Sequence, residues 1–159
     1  LMFVPGLYSE DQEWTPRLFS LDVKMGSNEN PGYLYREGRA GSIVTARKPE
    51  QVEVLFTLYQ EWFDRFGNDS SLDVRFRNAL KNEAARRSVE ELYKHIERLD
   101  GEDLVTVEEI VDRYRDLFVP RESMAFREKV LSFFVRVFGA RSAAKITRWL
   151  IQWRNKGKQ

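Results

Sequence analysis

Cysteine is absent from this 159-residue chain, and histidine occurs once, at His95. The absence of cysteine excludes disulfides, thiolate zinc sites, iron–sulfur clusters and cysteine nucleophiles. A single histidine argues against a histidine-rich metal centre and against a Ser-His-Asp triad within one chain. No apolar run approaches the roughly 20 residues that span a bilayer, and no signal-peptide pattern opens the chain. We therefore expect an intracellular or virion protein without a membrane span.

Sequence patterns typical of catalysis and ligand binding are equally scarce. The glycine-containing segment at residues 38–42 lacks the Gly-Lys-Ser/Thr ending of a phosphate-binding loop. Glu91 and His95 have the spacing of a two-ligand metal clamp, but we favour a surface histidine beside an acid. The abundant carboxylates are interpreted as solvated helix faces, for example those of Glu108, Glu109 and Asp112. We expect a non-enzymatic protein with no catalytic residue, no cofactor and no metal.

Aromatic side chains, in contrast, are plentiful, with eleven Phe, six Tyr and four Trp. So many apolar rings indicate a folded domain with a real core. The first 47 residues differ from the rest, because they hold three of the five prolines and five of the nine glycines and show no helical period. We predict that residues 1–47 are a largely non-helical arm, either extended or built from short strands and turns.

From Pro49 onward the apolar residues recur with the period of amphipathic helices. The fold class predicted for residues 48–159 is all-α, a bundle of five or six amphipathic helices. Ser88, with Glu91, begins a separate helix or lies inside one long helix. The helix starts predicted from proline and capping residues are Pro49, Ser70 or Ser71, Thr106, Ser123 and Ser142.

The predicted core consists of the apolar residues that share one face of each helix. Its members are Leu55, Phe56, Tyr59, Trp62, Phe66, Phe76, Leu80, Ile110, Tyr114, Val130, Phe133, Phe134, Val137, Ile146, Leu150 and Trp153.

Charge is distributed unevenly along the chain, although the formal net charge is only +1. Residues 1–119 carry a net charge of −7, whereas residues 120–159 carry ten basic and two acidic side chains. Arginine outnumbers lysine by 18 to 8, and its planar guanidinium suits phosphates and carboxylates. The asymmetry predicts a polyanionic partner; the alternative is pairing of basic with acidic helices, within one copy or between copies.

The candidate nucleic-acid-binding residues lie mainly in a predicted helix–turn–helix around Gly139. Phosphate binding requires only well-placed cations and hydrogen-bond donors, and the last helix supplies several on one face. These candidates are Arg141, Lys145, Arg148, Gln152, Arg154 and Lys156. A second basic cluster adds Arg77 and Lys81, which surface ion pairs explain equally well.

A helical bundle with a basic C-terminal surface and an irregular N-terminal arm resembles the coat proteins of filamentous archaeal viruses. The resemblance is one of architecture and extends over the whole chain. It implies a virion protein in which helical bundles with extended N-terminal parts wrap around DNA. The first functional hypothesis is accordingly a structural protein that packages nucleic acid through its basic C-terminal helical surface. It assembles through its N-terminal arm into a homo- or hetero-oligomer. The alternatives are a helix-turn-helix DNA-binding regulator and a protein-interaction module without nucleic acid.

Overall fold

The computed structural model describes residues 2–7, 9–21, 24, 26–27, 29–30, 32, 48–99 and 101–156, with the side chains of the last helix described as far as Trp149. These residues form six α-helices and no strand, which confirms the predicted all-α bundle. The helices are α1 (Glu10–Ser20), α2 (Pro49–Glu61), α3 (Val74–Arg98), α4 (Gly101–Arg113), α5 (Phe126–Phe138) and α6 (Ala140–Lys156).

Helix α2 begins where the sequence predicts, with Pro49 in the first turn and the Gln51 side chain accepting a hydrogen bond from the Lys48 amide at 3.1 Å. A π-helical turn, Trp62–Phe66, continues it, and the Gly67 amide closes that turn on the Trp62 carbonyl. A side chain at Gly67 would collide with the Phe63 carbonyl and with Lys81. The glycine therefore lets α3 pass close to the end of this turn.

Helix α3 is one continuous helix of 25 residues, so Ser88 does not begin a new element. The Ser88 hydroxyl is buried and donates to the Ala84 carbonyl at 2.8 Å, one turn earlier in the helix. The N-cap is Asp73 rather than Ser70 or Ser71, since the Asp73 carboxylate accepts from the amides of the second and third helical residues.

Three other predicted helix starts are wrong by a few residues. Thr106 lies inside α4, where its hydroxyl donates to the Glu102 carbonyl. Helix α5 begins after Ala125 rather than at Ser123, because Glu128 accepts from the Ala125 amide. Helix α6 begins at Ala140, two residues before Ser142. The Thr106 hydroxyl donates to a carbonyl inside the helix instead of capping its start. At the starts of α5 and α6 the carboxylates of Glu128 and Asp112 accept from the backbone amides that the serines were predicted to bind.

Helix α1 lies in the N-terminal region, where no helix is predicted. Pro16 lies within it, and proline in a helix interior costs about 3 kcal/mol, so the sequence pattern argued against a helix there. Three acidic residues in its first turn stabilise the positive end of its dipole. Of the predicted arm, residues 33–47 lie outside the described residues.

Helices α2, α3 and α4 pack together at the centre of the core. Helices α5 and α6 pack against one another and against α3, and α6 also packs against α4. Aromatic rings pack at its centre: Phe56 lies 5.9 Å from Phe118 and 6.1 Å from Tyr59 between ring centroids. Of the predicted core, these residues are buried: Leu55, Phe56, Tyr59, Trp62, Phe66 and Ile110. These are half-buried: Phe76, Leu80, Tyr114, Val130 and Phe134.

The predicted core face is wrong in part for α5 and at Ile146 of α6, although Phe134 does pack against the core. Phe133, Val137 and Ile146 are exposed, whereas small or medium residues point inward. The inward residues are Leu131, Ser132, Val135, Ala140, Ala143 and Ala144. Leu150 and Trp153 of the predicted core lie outside the described side chains.

Candidate nucleic-acid interface

The C-terminal basic segment folds as an α5–turn–α6 hairpin whose turn is Gly139. Its φ of +83° is a conformation that glycine adopts readily and side chains rarely do. Asp112 of α4 lies beside the turn, and its carboxylate accepts from the Ala140 amide at 2.8 Å. An anionic group therefore already occupies the positive N-terminal end of α6.

Two of the predicted binding residues, Arg141 and Lys145, project from α6 into solvent. Arg141 Nε lies 3.2 Å from a carboxylate oxygen of Glu108, which is itself buried. Glu108, interpreted from sequence as a solvated acid, is buried, whereas Asp112 is exposed as expected; both carboxylates bind α6 and anchor it to α4. Among the ion pairs found in the described part of the chain, none involves Lys145.

Arg148 has a different environment from the other basic residues of α6. Its half-buried guanidinium donates from Nε to the Ile96 carbonyl at 3.2 Å and from Nη2 to the Leu99 carbonyl. Both carbonyls lie at the C-terminal end of α3, where backbone acceptors lack helical partners. Arg148 therefore caps α3 and fixes α6 against it, so its contribution is first of all structural.

The remaining predicted residues of the last helix are Gln152, Arg154 and Lys156. Their backbone belongs to α6, but their side chains lie outside the described part of the structure.

Arg77 and Lys81 lie in the N-terminal half of α3, away from the hairpin. Lys81 donates to the Asn68 side chain at 2.7 Å and stands 5.2 Å from the centroid of the Phe63 ring. Arg77 precedes Ile96, the residue that Arg148 contacts, by 19 positions, or about 28 Å of helix at 1.5 Å per residue. The structure thus does not join these two residues and α6 into one compact patch.

Helix α5 contributes cations that were not among the predicted site residues. Arg127 and Arg136 are exposed and Lys129 is half-buried, whereas the single acid of this helix, Glu128, is occupied at the helix N-terminus. The excess of basic residues after residue 120 was the signal available in the sequence. The four phenylalanines of α5 favour a packing role for that helix, so the sequence pattern did not single out its cations.

The Glu91 and His95 pair does not form a metal clamp. His95 is buried rather than on the surface, and its Nδ1 lies 2.6 Å from the Glu91 carbonyl oxygen. The Glu91 carboxylate pairs with Lys94 at 3.0 Å. Within the described ranges there is no cluster of histidine and acidic residues able to hold a metal ion.

Comparison with known proteins gives no relative from which a function could be inferred. No family model, no curated protein and no solved structure matches it. Of the helices that the structure describes, none combines the length and apolar character needed to cross a bilayer.

Proposed function

We propose that this protein is a non-enzymatic structural protein that coats or packages nucleic acid and assembles with copies of itself. The observation that carries the proposal is the separation of charge, with ten basic and two acidic residues after position 119 and a net charge of −7 before it. The exposed cations Arg141 and Lys145 on α6 support contacts to phosphates. Contacts of this kind do not depend on base sequence.

The helix-turn-helix regulator is the weaker alternative. A recognition helix approaches DNA with its N-terminal residues, and the positive end of that helix favours phosphate. At the N-terminus of α6, Asp112 binds the first amide and Glu108 pairs with Arg141. These two carboxylates occupy the N-terminal end of α6, the end that a recognition helix presents to DNA.

A protein-interaction module without nucleic acid is favoured by one observation, the exposure of large apolar residues on the hairpin. Phe126 is 83% exposed and Trp149 is 62% exposed, and such surfaces commonly mark protein interfaces. Self-assembly accounts for the same exposure within the proposed function.

The salt dependence of DNA binding tests the proposal. For each phosphate that the protein neutralises in duplex DNA, the slope of log affinity against log salt changes by about −0.9. We expect Lys145→Gln to make this slope shallower by up to about 0.9 and to weaken binding to all sequences alike. Arg113→Gln is the matched control, because Arg113 pairs with Glu53 on a different helix, and it should leave the slope unchanged.

Arg148→Gln separates folding from binding in the same experiment. Because Arg148 caps α3, its replacement should lower the free energy of unfolding by about 1–3 kcal/mol, whereas Lys145→Gln should not. Selective loss of affinity for one DNA site in Lys145→Gln would favour the regulator. Absence of any DNA or RNA binding by the wild-type protein would favour the interaction module.

A further inference from the structure

Helix α5 turns a line of large apolar side chains toward solvent. These four residues, here called the α5 stripe, are Phe126, Val130, Phe133 and Val137, spaced by four, three and four positions. That spacing places them along one side of a helix and is the spacing of helix–helix seams. Val130 is half-buried, and the other three are between 49% and 83% exposed.

The stripe borders a groove between α3, α5 and α6 with a volume of about 500 Å³. Phe126 and Val130 line it, together with Tyr93, Phe134 and Ile146. This lining is mostly apolar, and its four charged residues, Glu90, Lys94, Arg127 and Glu128, carry no net charge, so the groove suits large apolar side chains rather than a charged ligand. Stripe and groove together form a continuous apolar surface on an otherwise charged protein.

A second group of exposed apolar residues lies at the other end of the chain. In the part of the chain that the structure describes, large exposed apolar side chains outside α5 and α6 fall in residues 2–21, apart from Val74 and Val105. The members of this group are Met2, Phe3, Val4, Phe19 and Leu21.

This N-terminal group is an organised unit. Phe3 packs on Trp14 with 5.4 Å between ring centroids, and Arg17 donates to the Met2 carbonyl at 2.7 Å. These contacts hold the first residues against α1, which itself contacts the π-helical turn at Trp62–Phe66 of the same chain. The described residues 2–7 and 9–21 therefore present a preformed surface that lies on its own bundle at a place other than the α5 stripe.

The two surfaces are complementary in charge as well as in apolar character. Residues 2–21 carry three acids and one base, Glu10, Asp11, Glu13 and Arg17, whereas α5 carries three bases and one acid. Contact of one α5 stripe with a second α5 stripe would bring like charges together. Contact of the stripe with residues 2–21 of another copy brings opposite charges together.

We infer that the α5 stripe and its groove are the docking site for residues 2–21 of a second copy of this chain. The inference rests on the self-assembly part of the proposed function and names its two surfaces. Because the two surfaces differ, the contact is heterologous, and repetition from copy to copy builds an open filament or a ring. Arg141 and Lys145 of α6 belong to neither of these two surfaces.

A complementation experiment with full-length variants tests the inference. Phe133→Glu with Val137→Glu disables the docking site, and Phe19→Glu with Leu21→Glu disables the docked surface; all four positions are exposed. Sedimentation velocity should show concentration-dependent assembly of the wild-type protein and monomers of each double variant. An equimolar mixture of the two variants should form a 1:1 dimer and nothing larger, since one intact surface remains on each.

Val74→Glu is the matched control, because Val74 is 54% exposed on a different part of the bundle, and it should assemble like the wild type. Circular dichroism checks folding, and serine in place of glutamate provides milder variants. A monomeric wild type, a Phe19→Glu/Leu21→Glu variant that still assembles, or a mixture that stays monomeric would overturn the inference. If the mixed dimer forms but the protein binds no DNA, the docking inference is supported and the nucleic-acid part of the proposed function is refuted.

Discussion

Basic residues one or two turns apart on α6 have different roles, because their neighbours differ. Lys145 is exposed, Arg141 pairs with a buried carboxylate, and Arg148 caps another helix. A guanidinium reaches two carbonyl acceptors at once, whereas an ammonium is a compact, strongly hydrated charge. The identity of the cation and the position of the end of α3 together decide that Arg148, and not Lys145, caps that helix.

Tyr59 provides a prediction about alkaline pH. It is 1% exposed, and burial, aided by the nearby Glu91, raises the pKa of its phenol above the usual value of about 10. In the unfolded chain the phenol ionises near pH 10, so the unfolded state releases its proton first as pH rises. The stability that neutral Tyr59 contributes is thus present below about pH 10 and is lost above it.

Tyr59→Phe removes this proton from both states. Above about pH 10, we expect the free energy of unfolding to fall less steeply with pH in the variant than in the wild type. The two slopes should differ by up to about 1.4 kcal/mol per pH unit. Denaturant unfolding at a series of pH values measures both curves. Parallel curves for the two proteins would contradict the prediction, whatever their vertical offset.

At the scale of the element, α5 has apolar residues on two sides. Leu131 and Val135 point into the bundle, whereas Phe133 and Val137 point out of it. The side chains of the inward face are smaller than those of the outward face. The inward residues of α6 are also small, namely Ala140, Ala143 and Ala144. Small residues let the two helices approach each other and the rest of the bundle closely. The larger apolar residues then remain outside.

Two valines of α5 test this orientation as a matched pair. Val135 is fully buried and Val137 is 49% exposed, so truncation removes the same atoms from different environments. We expect Val135→Ala to lower the free energy of unfolding by about 2 kcal/mol and Val137→Ala to change it by less than about 0.5 kcal/mol. Denaturant unfolding at concentrations low enough to keep the chain monomeric checks this. Equal losses would mean that the face is assigned wrongly.

At the scale of the whole molecule, the helices differ greatly in how much they bury. Helix α3 buries eight residues between Ala84 and Ile96, whereas Pro16 is the one buried residue of α1. Local stability follows the number of buried apolar contacts. The N-terminal helix is therefore held far less firmly than the bundle.

Hydrogen exchange followed by mass spectrometry should show this difference in the monomeric protein. We expect amides of α1 to exchange through local opening, and amides in the centre of α3 to exchange only through global unfolding. Addition of denaturant below the unfolding transition should leave α1 exchange nearly constant and accelerate α3 exchange. Equal protection of the two helices would contradict this account.

The sequence by itself determined the helical class and most of the helices of the bundle. Spacing of apolar residues is a local property, and Pro49, Gly67 and Gly139 mark helix ends through their own backbone preferences. The accumulation of positive charge after residue 119 is likewise independent of the fold. Helix α1 was not predicted, because its internal proline and its short length argue against a helix more strongly than its acidic first turn argues for one.

The tertiary structure decided which faces became core and which cations remained free. Periodicity gives the direction of an apolar face only when a helix has one such face, and α5 has two. The fit between α5 and α6 selected the face with small residues, which left Phe133 in solvent. The role of Arg148 depended on the carbonyls of Ile96 and Leu99, some 50 residues earlier in the chain. Contacts at such separation are products of packing, and no local pattern encodes them.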